Sequence, residues 1–312
     1  MGNILAPIMW VVAWIIYGAH WLLTFFGFGD GPGVAWVISL VLLTVIIRAI
    51  MIPLFFKQIA ASRGQQLIQP EIKAIQDKYK DKKDPASREA MSRETMALYK
   101  EHGTNPFSSC LPMLLQTPVF FALFQVLNAL GPIARGERPG IGPITQQIAD
   151  DIQRSTLFGA HLSDVFTTTT STTSRVVVIL LILAMSASTF YTQKQLTQKN
   201  MPEAALQGQA ASMQKIMLYG MPLFFGISGI NFPVGVLIYW TVTNIWSMGQ
   251  QWYSIKHMPT PGSIAEEEMK AKKIARAAAK GVVLEPQTGI NDVIEIIPGQ
   301  RQQPRRKNRA KK

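Results

Sequence analysis

The chain has 312 residues, 48% of them apolar and only 16% charged, with a formal net charge of +12. This composition falls between that of a soluble enzyme and that of a small-loop transporter, and several apolar runs of about 17 to 23 residues place the protein in a membrane. The cations are segregated: residues 1–47 hold no Lys or Arg, 57–105 hold ten and 256–312 hold thirteen. By the positive-inside rule the two basic segments are cytoplasmic and the amino terminus is outside, in a multi-pass protein of the plasma (inner) membrane.

Residues 4–28, ILAPIMWVVAWIIYGAHWLLTFFGF, are apolar but interrupted by Pro7 and Gly18, and they hold Trp10, Trp14 and Trp21. Tryptophan gathers at membrane interfaces, so the stretch reads as a helix lying on or dipping into the outer leaflet, with an extra span as the alternative. An extra span would bring the amino terminus inside with no positive residue near it. The stretch has no basic start and no small-residue cleavage site, so it is not read as a removable signal. GDGPG at 29–33 turns the chain into the first span.

Residues 34–56, VAWVISLVLLTVIIRAIMIPLFF, reach about 34 Å as a helix, enough for a hydrocarbon core of about 30 Å. One charge, Arg48, lies inside this run, about two and a half turns deeper than Lys57. A guanidinium cannot escape burial by losing its proton. Either Arg48 snorkels to the headgroups or it sits in a wet pocket. None of the spans expected here contains Asp, Glu or His. With no internal anion, the wet pocket is the better reading, and such a pocket would attract an anion brought by another molecule.

Pro53 removes a backbone hydrogen bond near the cytoplasmic end of this span and predicts a bend. The insertion 57–105 predicts an antiparallel helical hairpin. Ile68, Ile72, Ile75 and Tyr79 make an apolar stripe at i, i+4, i+7 and i+11 among charged neighbours. After the turn KDKKD, Asp84 as N-cap and Pro85 at the first helical position open the second arm, which Gly103 ends. A mixed-sign surface with a thin apolar seam suits a docking element.

Residues 107–130 form the expected second span, with Pro112 and Pro118 bending it and Thr117, Gln125 and Asn128 on one face. Cys110, the single cysteine, has no disulfide or metal partner and reads as a packing residue. The loop 131–175 lies outside and contains an amphipathic stretch, ITQQIADDIQ, and the polar linker TTTTSTT, which reads as flexible. Spans three to five are expected at 176–193, 216–230 and 234–252. Ser186, Thr189 and Gln193 line one face of the third, and Trp240, Asn244, Ser247 and Gln251 one face of the fifth. Polar stripes on membrane helices are unfavourable unless they face one another or water. In the tail 257–312, SIAE at 263–266 reads as a capping box that opens a short surface helix ending before Gly281. RQQPRRKNRAKK at 301–312 reads as a disordered polybasic segment, either a plain topology anchor or a site for ribosomal RNA or anionic lipid.

The string NPFSSCLPMLLQTPVFFALFQVLN at 105–128, the arginine-bearing span, the hairpin with QPEIKAIQDKYK and the later YWTVTN together resemble the YidC/Oxa/Alb family of membrane-protein insertases. The likeness covers about residues 34–256, and the layout is most similar to the short Gram-positive, actinobacterial form. It implies an all-α integral membrane protein with five transmembrane helices around a hydrophilic groove, open to cytosol and lipid. A cytoplasmic hairpin and an amino-terminal interfacial helix (1–33) complete it. Arg48 is the implied groove cation, with Gln116, Gln193, Trp240 and Asn244 as its groove neighbours. Gln116 is rotated by roughly 100° from the face of Thr117.

The implied partners are nascent membrane proteins, the lipid bilayer and the secretion channel. No catalytic residues, metal or cofactor are expected, because the chain carries no GxxxxGK phosphate loop, no HExxH and no intramembrane acid to relay protons. Two other functions use the same features: an accessory assembly chaperone of the secretion channel, and a small-solute channel, which should show inverted repeats or ion-coordinating acids.

Overall fold

Pro7 sits in the first turn of α1 (Ala6–Phe25), where a missing N–H loses no helical bond, in the computed structural model. The structure describes residues 4–82, 84–105, 111–201 and 208–279. Cys110, the 107–110 start of the expected second span, Gly281 and the polybasic segment 301–312 lie outside the described residues.

Met9, Val12, Ala13, Ile16, Ala19 and His20 bury one helical stripe of α1, while Trp10, Trp14 and Trp21 are exposed. The buried stripe packs on α2 (Val34–Ile50) and α6 (Leu111–Ala134). Two contacts place α1 relative to the bundle. Gly142, in the loop after α6, lies so close to the tryptophans that a Cβ on it would come within 3.2 Å of the Trp10 ring. Nearly three turns beyond Trp10 along α1, His20 stacks on Trp36 in the first turn of α2 at 3.6 Å between ring centres. Both contacts are with the same end of the bundle, because Gly33 N donates to Ser155 Oγ of the loop at 2.9 Å. α1 therefore lies across that end.

α2 and α3 (Ile52–Leu67) meet at Met51 with a bend of 50°. Pro53 explains it: with no N–H at that position the i to i−4 ladder is interrupted, and the helix tilts there. α4 (Gln69–Tyr79) and α5 (Pro85–Glu101) form the hairpin, closed by Ile68, Ile72 and Leu98 with Ile75 and Tyr99 against them. Asp84 caps α5 by accepting from Ser87 N at 2.8 Å, and Gly103, at φ +60°, terminates it in a conformation that L side chains rarely adopt.

Glu94 ties the two arms together by accepting from Lys78 Nζ at 2.6 Å and Tyr79 OH at 2.7 Å. The Lys78 bond foremost, then the Tyr79 bond, hold the Glu94 carboxyl below the usual carboxylate range. A carboxyl lowered on folding adds stability above its unfolded pKa, about 4.3, and that stability is lost as pH falls through the folded value. Hydrogen exchange across α4 and α5, corrected for intrinsic rates, should therefore show weaker protection at about pH 3 than at about pH 7. Glu94→Gln should remove part of that difference, because the Asp84 carboxyl, lowered by its bond from Ser87 N, contributes as well.

Beyond α6, the loop is built rather than loose. Thr145 caps α7 (Gln146–Arg154), whose Ala149 and Ile152 are buried, and β1 (Thr156–Leu157) pairs antiparallel with β2 (Ala160–His161). Asp164 fastens this loop to two helices. Its carboxylate accepts from Ser174 Oγ, and its backbone carbonyl accepts from Val234 N at 2.9 Å. The TTTTSTT linker, read as flexible, is ordered: Thr168 and Thr169 N bond Val165 O, and Ser171 caps α8 (Thr172–Asn200). Hydroxyls that look like linker filler in the sequence serve here as turn and cap acceptors.

α9 (Gly208–Lys215), a five-residue π turn at Ile216–Gly220 and α10 (Met221–Gly229) abut in one helical run, packed on α8. Gly226 and Gly229 allow that approach, since a Cβ at Gly229 would lie 2.9 Å from Ile182 Cγ1. α11 (Val234–His257) packs on α8, α2 and α6, and α12 (Ile264–Ala278) follows with Ser263 as its cap.

By length and composition α1, α6 and α8 can each cross a membrane, and the bent α2–α3 pair makes a fourth candidate. Two of the five expected spans fall outside this set. α11 has 24 residues, but its polar stripe dilutes its hydropathy. The expected fourth span, 216–230, is divided by the π turn.

Candidate functional site

Arg48 stands in the last turn of α2, half-buried, and its Nε is buried with no hydrogen-bond partner among the described residues. The group near enough to interact electrostatically is the Tyr239 hydroxyl on α11. Tyr239 is 2% exposed, and its hydroxyl accepts a hydrogen bond from Gln116 Nε2 on α6. Three helices thus contribute one cation, one phenol and one amide to a single spot. No carboxylate among the described residues pairs with Arg48.

The surroundings add further polar atoms without protein partners. Gln116 Oε1 and Trp246 Nε1 are buried with no hydrogen-bond partner among the described residues, and the Thr243 hydroxyl lies within hydrogen-bond reach of Tyr239. Tyr239, Thr243 and Trp246 recur at i, i+4 and i+7, which is one face of α11. An unbonded buried polar atom costs about 1–3 kcal/mol, so a cluster of them around a guanidinium is poorly explained as packing.

Trp240 and Asn244 make other contacts. Trp240, rotated by about 100° from Tyr239, packs among Phe225, Phe120 and Phe232 at ring separations of 4.6, 5.2 and 5.9 Å. Asn244 Nδ2 donates to Thr189 Oγ1 at 2.9 Å and Met185 O at 3.2 Å, so it joins α11 to α8. Ser186 Oγ likewise donates to Pro222 O at 3.2 Å, joining α8 to α10. Gln193, a turn beyond Thr189, is half-buried. The polar stripes of the third and fifth spans therefore meet each other, while the Arg48 cluster occupies a separate face formed by α2, α6 and α11.

Tyr239 is absent from the residues singled out in the sequence, although it belongs to YWTVTN. Its signal was the second four-residue spacing in that string, Tyr239 to Thr243, parallel to Trp240 to Asn244. Asp164 carried no local signal, because its partners Ser174 and Val234 come from helices that the sequence does not show to be adjacent.

Asn244→Ala should lower stability by only about 0.6–1.7 kcal/mol, the range found for hydrogen bonds between membrane helices. The reason is that Thr189 Oγ1 already donates to Met185 O at 2.8 Å and keeps that bond when Asn244 is removed. Thermal unfolding in detergent measures the effect.

Comparison with known proteins agrees in family. The family described as 60Kd inner membrane protein matches residues 28–261. A membrane protein insertase YidC of Streptomyces avermitilis is 44% identical over 266 residues, covering 82% of this chain and 59% of that relative. The YidC insertase of Tropheryma whipplei is 40% identical over 322 residues, covering 100% of this chain and 97% of its own, and that of Bifidobacterium longum is 34% identical over 320 residues, covering 99% and 95%. A crystal structure of an active YidC insertase with its first transmembrane domain resolved covers 78% of this chain and 46% of that one, with a TM-score of 0.45 and 22% identity. The chain is therefore a multi-pass membrane protein that belongs to the 60Kd inner membrane protein family, the family of the YidC/Oxa/Alb insertases.

Proposed function

We propose that this protein inserts nascent membrane proteins into the lipid bilayer by passing their hydrophilic segments through a polar groove centred on Arg48. The observation that carries this reading is a half-buried guanidinium with no carboxylate partner among the described residues, beside Tyr239 and Gln116 and close to other unbonded polar atoms. In this mechanism an acidic or polar substrate segment enters the groove, and Arg48 offsets part of its desolvation. The substrate's apolar segment then slides into lipid, and its burial drives the step at about 25 cal/mol per Å² of apolar surface removed from water. No nucleotide is hydrolysed and no covalent bond changes.

The proposed topology has five spans: α2 with the start of α3, α6, α8, the α9–α10 run and α11. The amino terminus is outside and the tail inside. The tryptophans on the exposed side of α1, together with its contacts across one end of the bundle, support its placement in the outer interface. The α4–α5 hairpin then faces the cytosol as a docking element.

The test is insertion of a small single-span protein with an acidic outer tail into liposomes containing only the purified protein, without nucleotide. Protease protection of the tail above the level in protein-free liposomes is the expected result. Insertion only when the secretion channel is added would instead establish the accessory chaperone function.

A further inference from the structure

Where α8 and α11 run past the apolar core, α12 folds back across both and closes a cavity of about 1060 Å³. The return is held by Thr260 N, which donates to the side-chain Oδ1 of Asn200 at 2.9 Å, and by the Ser263 cap. The lining is mixed. Met248, Ile255 and Met269 are its apolar members, joined along α11 by Trp252 and Ile245, 62% and 55% exposed. Lys199, Lys256, Lys272, Lys273 and Arg276 also line it, against a single carboxylate, Glu268.

That carboxylate lies 3.7 Å from Lys272. Lys256 rests over the Trp252 ring at 4.7 Å. Lys199, Lys273 and Arg276 have no carboxylate partner among the described residues. Tyr191 and Trp252, aromatic residues suited to the headgroup level, also line the cavity.

We infer that this cavity is a binding site for an anionic diacyl phospholipid, with the phosphate held by Lys199, Lys273 and Arg276 and the acyl chains along Ile245 and Trp252. A free phosphate would leave Met248, Ile255 and Met269 without a partner. A polynucleotide would meet a Trp252 face already covered by Lys256, and an apolar strip running toward the bundle core. Basic pockets between helices at a negatively charged leaflet are suited to anionic headgroups. The site is built from described residues alone and rests on the proposed topology, which puts α12 at the cytoplasmic leaflet.

The test uses the full-length protein in neutral detergent, with bound lipid counted by native mass spectrometry. Wild type should retain phosphatidylglycerol in preference to phosphatidylcholine. The double variant Lys273→Gln, Arg276→Gln should lower phosphatidylglycerol retention by about tenfold and leave phosphatidylcholine unchanged. Both positions are exposed on α12, so the fold should survive. The control Lys80→Gln, Lys82→Gln removes the same charge from the exposed hairpin with the 301–312 segment intact, and should retain lipid like wild type. Unchanged retention in the α12 variant, or an equal loss in the control, overturns the site. Equal competition by soluble glycerophosphoglycerol overturns the lipid as the source of the phosphate, and displacement by an equimolar RNA oligonucleotide overturns the ligand class.

Discussion

Arg48→Ala should reduce insertion of an acidic-tailed single-span substrate by about tenfold or more, while Arg48→Lys keeps most of it and a neutral-tailed substrate responds much less. Two unit charges about 4 Å apart at an effective dielectric near 20 attract by about 4 kcal/mol, so realising even a third of that gives roughly a tenfold effect. The protein should not lose stability with the activity. Arg48 has no carboxylate partner among the described residues, so its replacement by a small neutral side chain relieves a desolvation penalty without leaving an opposite charge stranded. A purely structural arginine predicts the reverse pattern, a lower melting temperature with insertion otherwise intact. Liposome insertion and thermal unfolding of the same preparations distinguish the two. Normal insertion by Arg48→Ala would make this arginine a topology marker and remove the electrostatic mechanism.

Gly235→Val should damage packing where three helices and the loop converge. Gly235 lies in the first turn of α11, where an added Cβ would stand 3.0 Å from Leu127 Cδ1, 3.3 Å from Leu40 Cδ1 and 3.4 Å from Leu162 O. Its own N–H donates to Leu162 O at 2.9 Å. The backbone of α11 is therefore held against the loop at a point where α2 and α6 also converge. Leu40 and Leu127 are both buried, with exposures of 1% and 3%, and have little room to withdraw. Valine adds three carbons to this space, and overpacking of a dense core typically costs about 1–3 kcal/mol.

Function should fall with stability, because Tyr239 is one turn below Gly235 on the same face of α11. Displacing that turn outward draws the phenol away from Gln116 and Arg48. Gly18 supplies the contrast. A Cβ there meets nothing within 4 Å, so Gly18→Ala should raise the melting temperature, by an amount equivalent to about 0.5–1 kcal/mol for a helical glycine. Thermal unfolding in detergent should separate the two variants in opposite directions from wild type.

These expectations rest on different parts of the molecule, and the parts were not equally legible. The sequence by itself determined the features caused by near neighbours in the chain. Asp84 followed by Pro85 marks the start of α5 because a cap needs only the amide three residues on, and Pro53 marks the bend because the bond it removes lies within one turn. The isoleucine stripe from Ile68 defines the hairpin seam for the same reason, since side chains three and four apart share a helical face. Arg48 stood out without any structure, as a permanent charge inside an apolar run.

What only the tertiary structure decided is which faces meet. Gln116 and Tyr239 are 123 residues apart, and no periodicity relates them. In YWTVTN, neighbouring residues differ by about 100° around the helix. The orientation of α11 therefore decides that Tyr239 turns toward Arg48, Trp240 toward the phenylalanines and Asn244 toward α8. The same holds for Asp164, whose two bonds exist only because α8 and α11 start side by side beneath the loop. A helix is specified by interactions within about four residues, but the partner of each face is specified by how the helices cross, and that depends on the whole bundle at once.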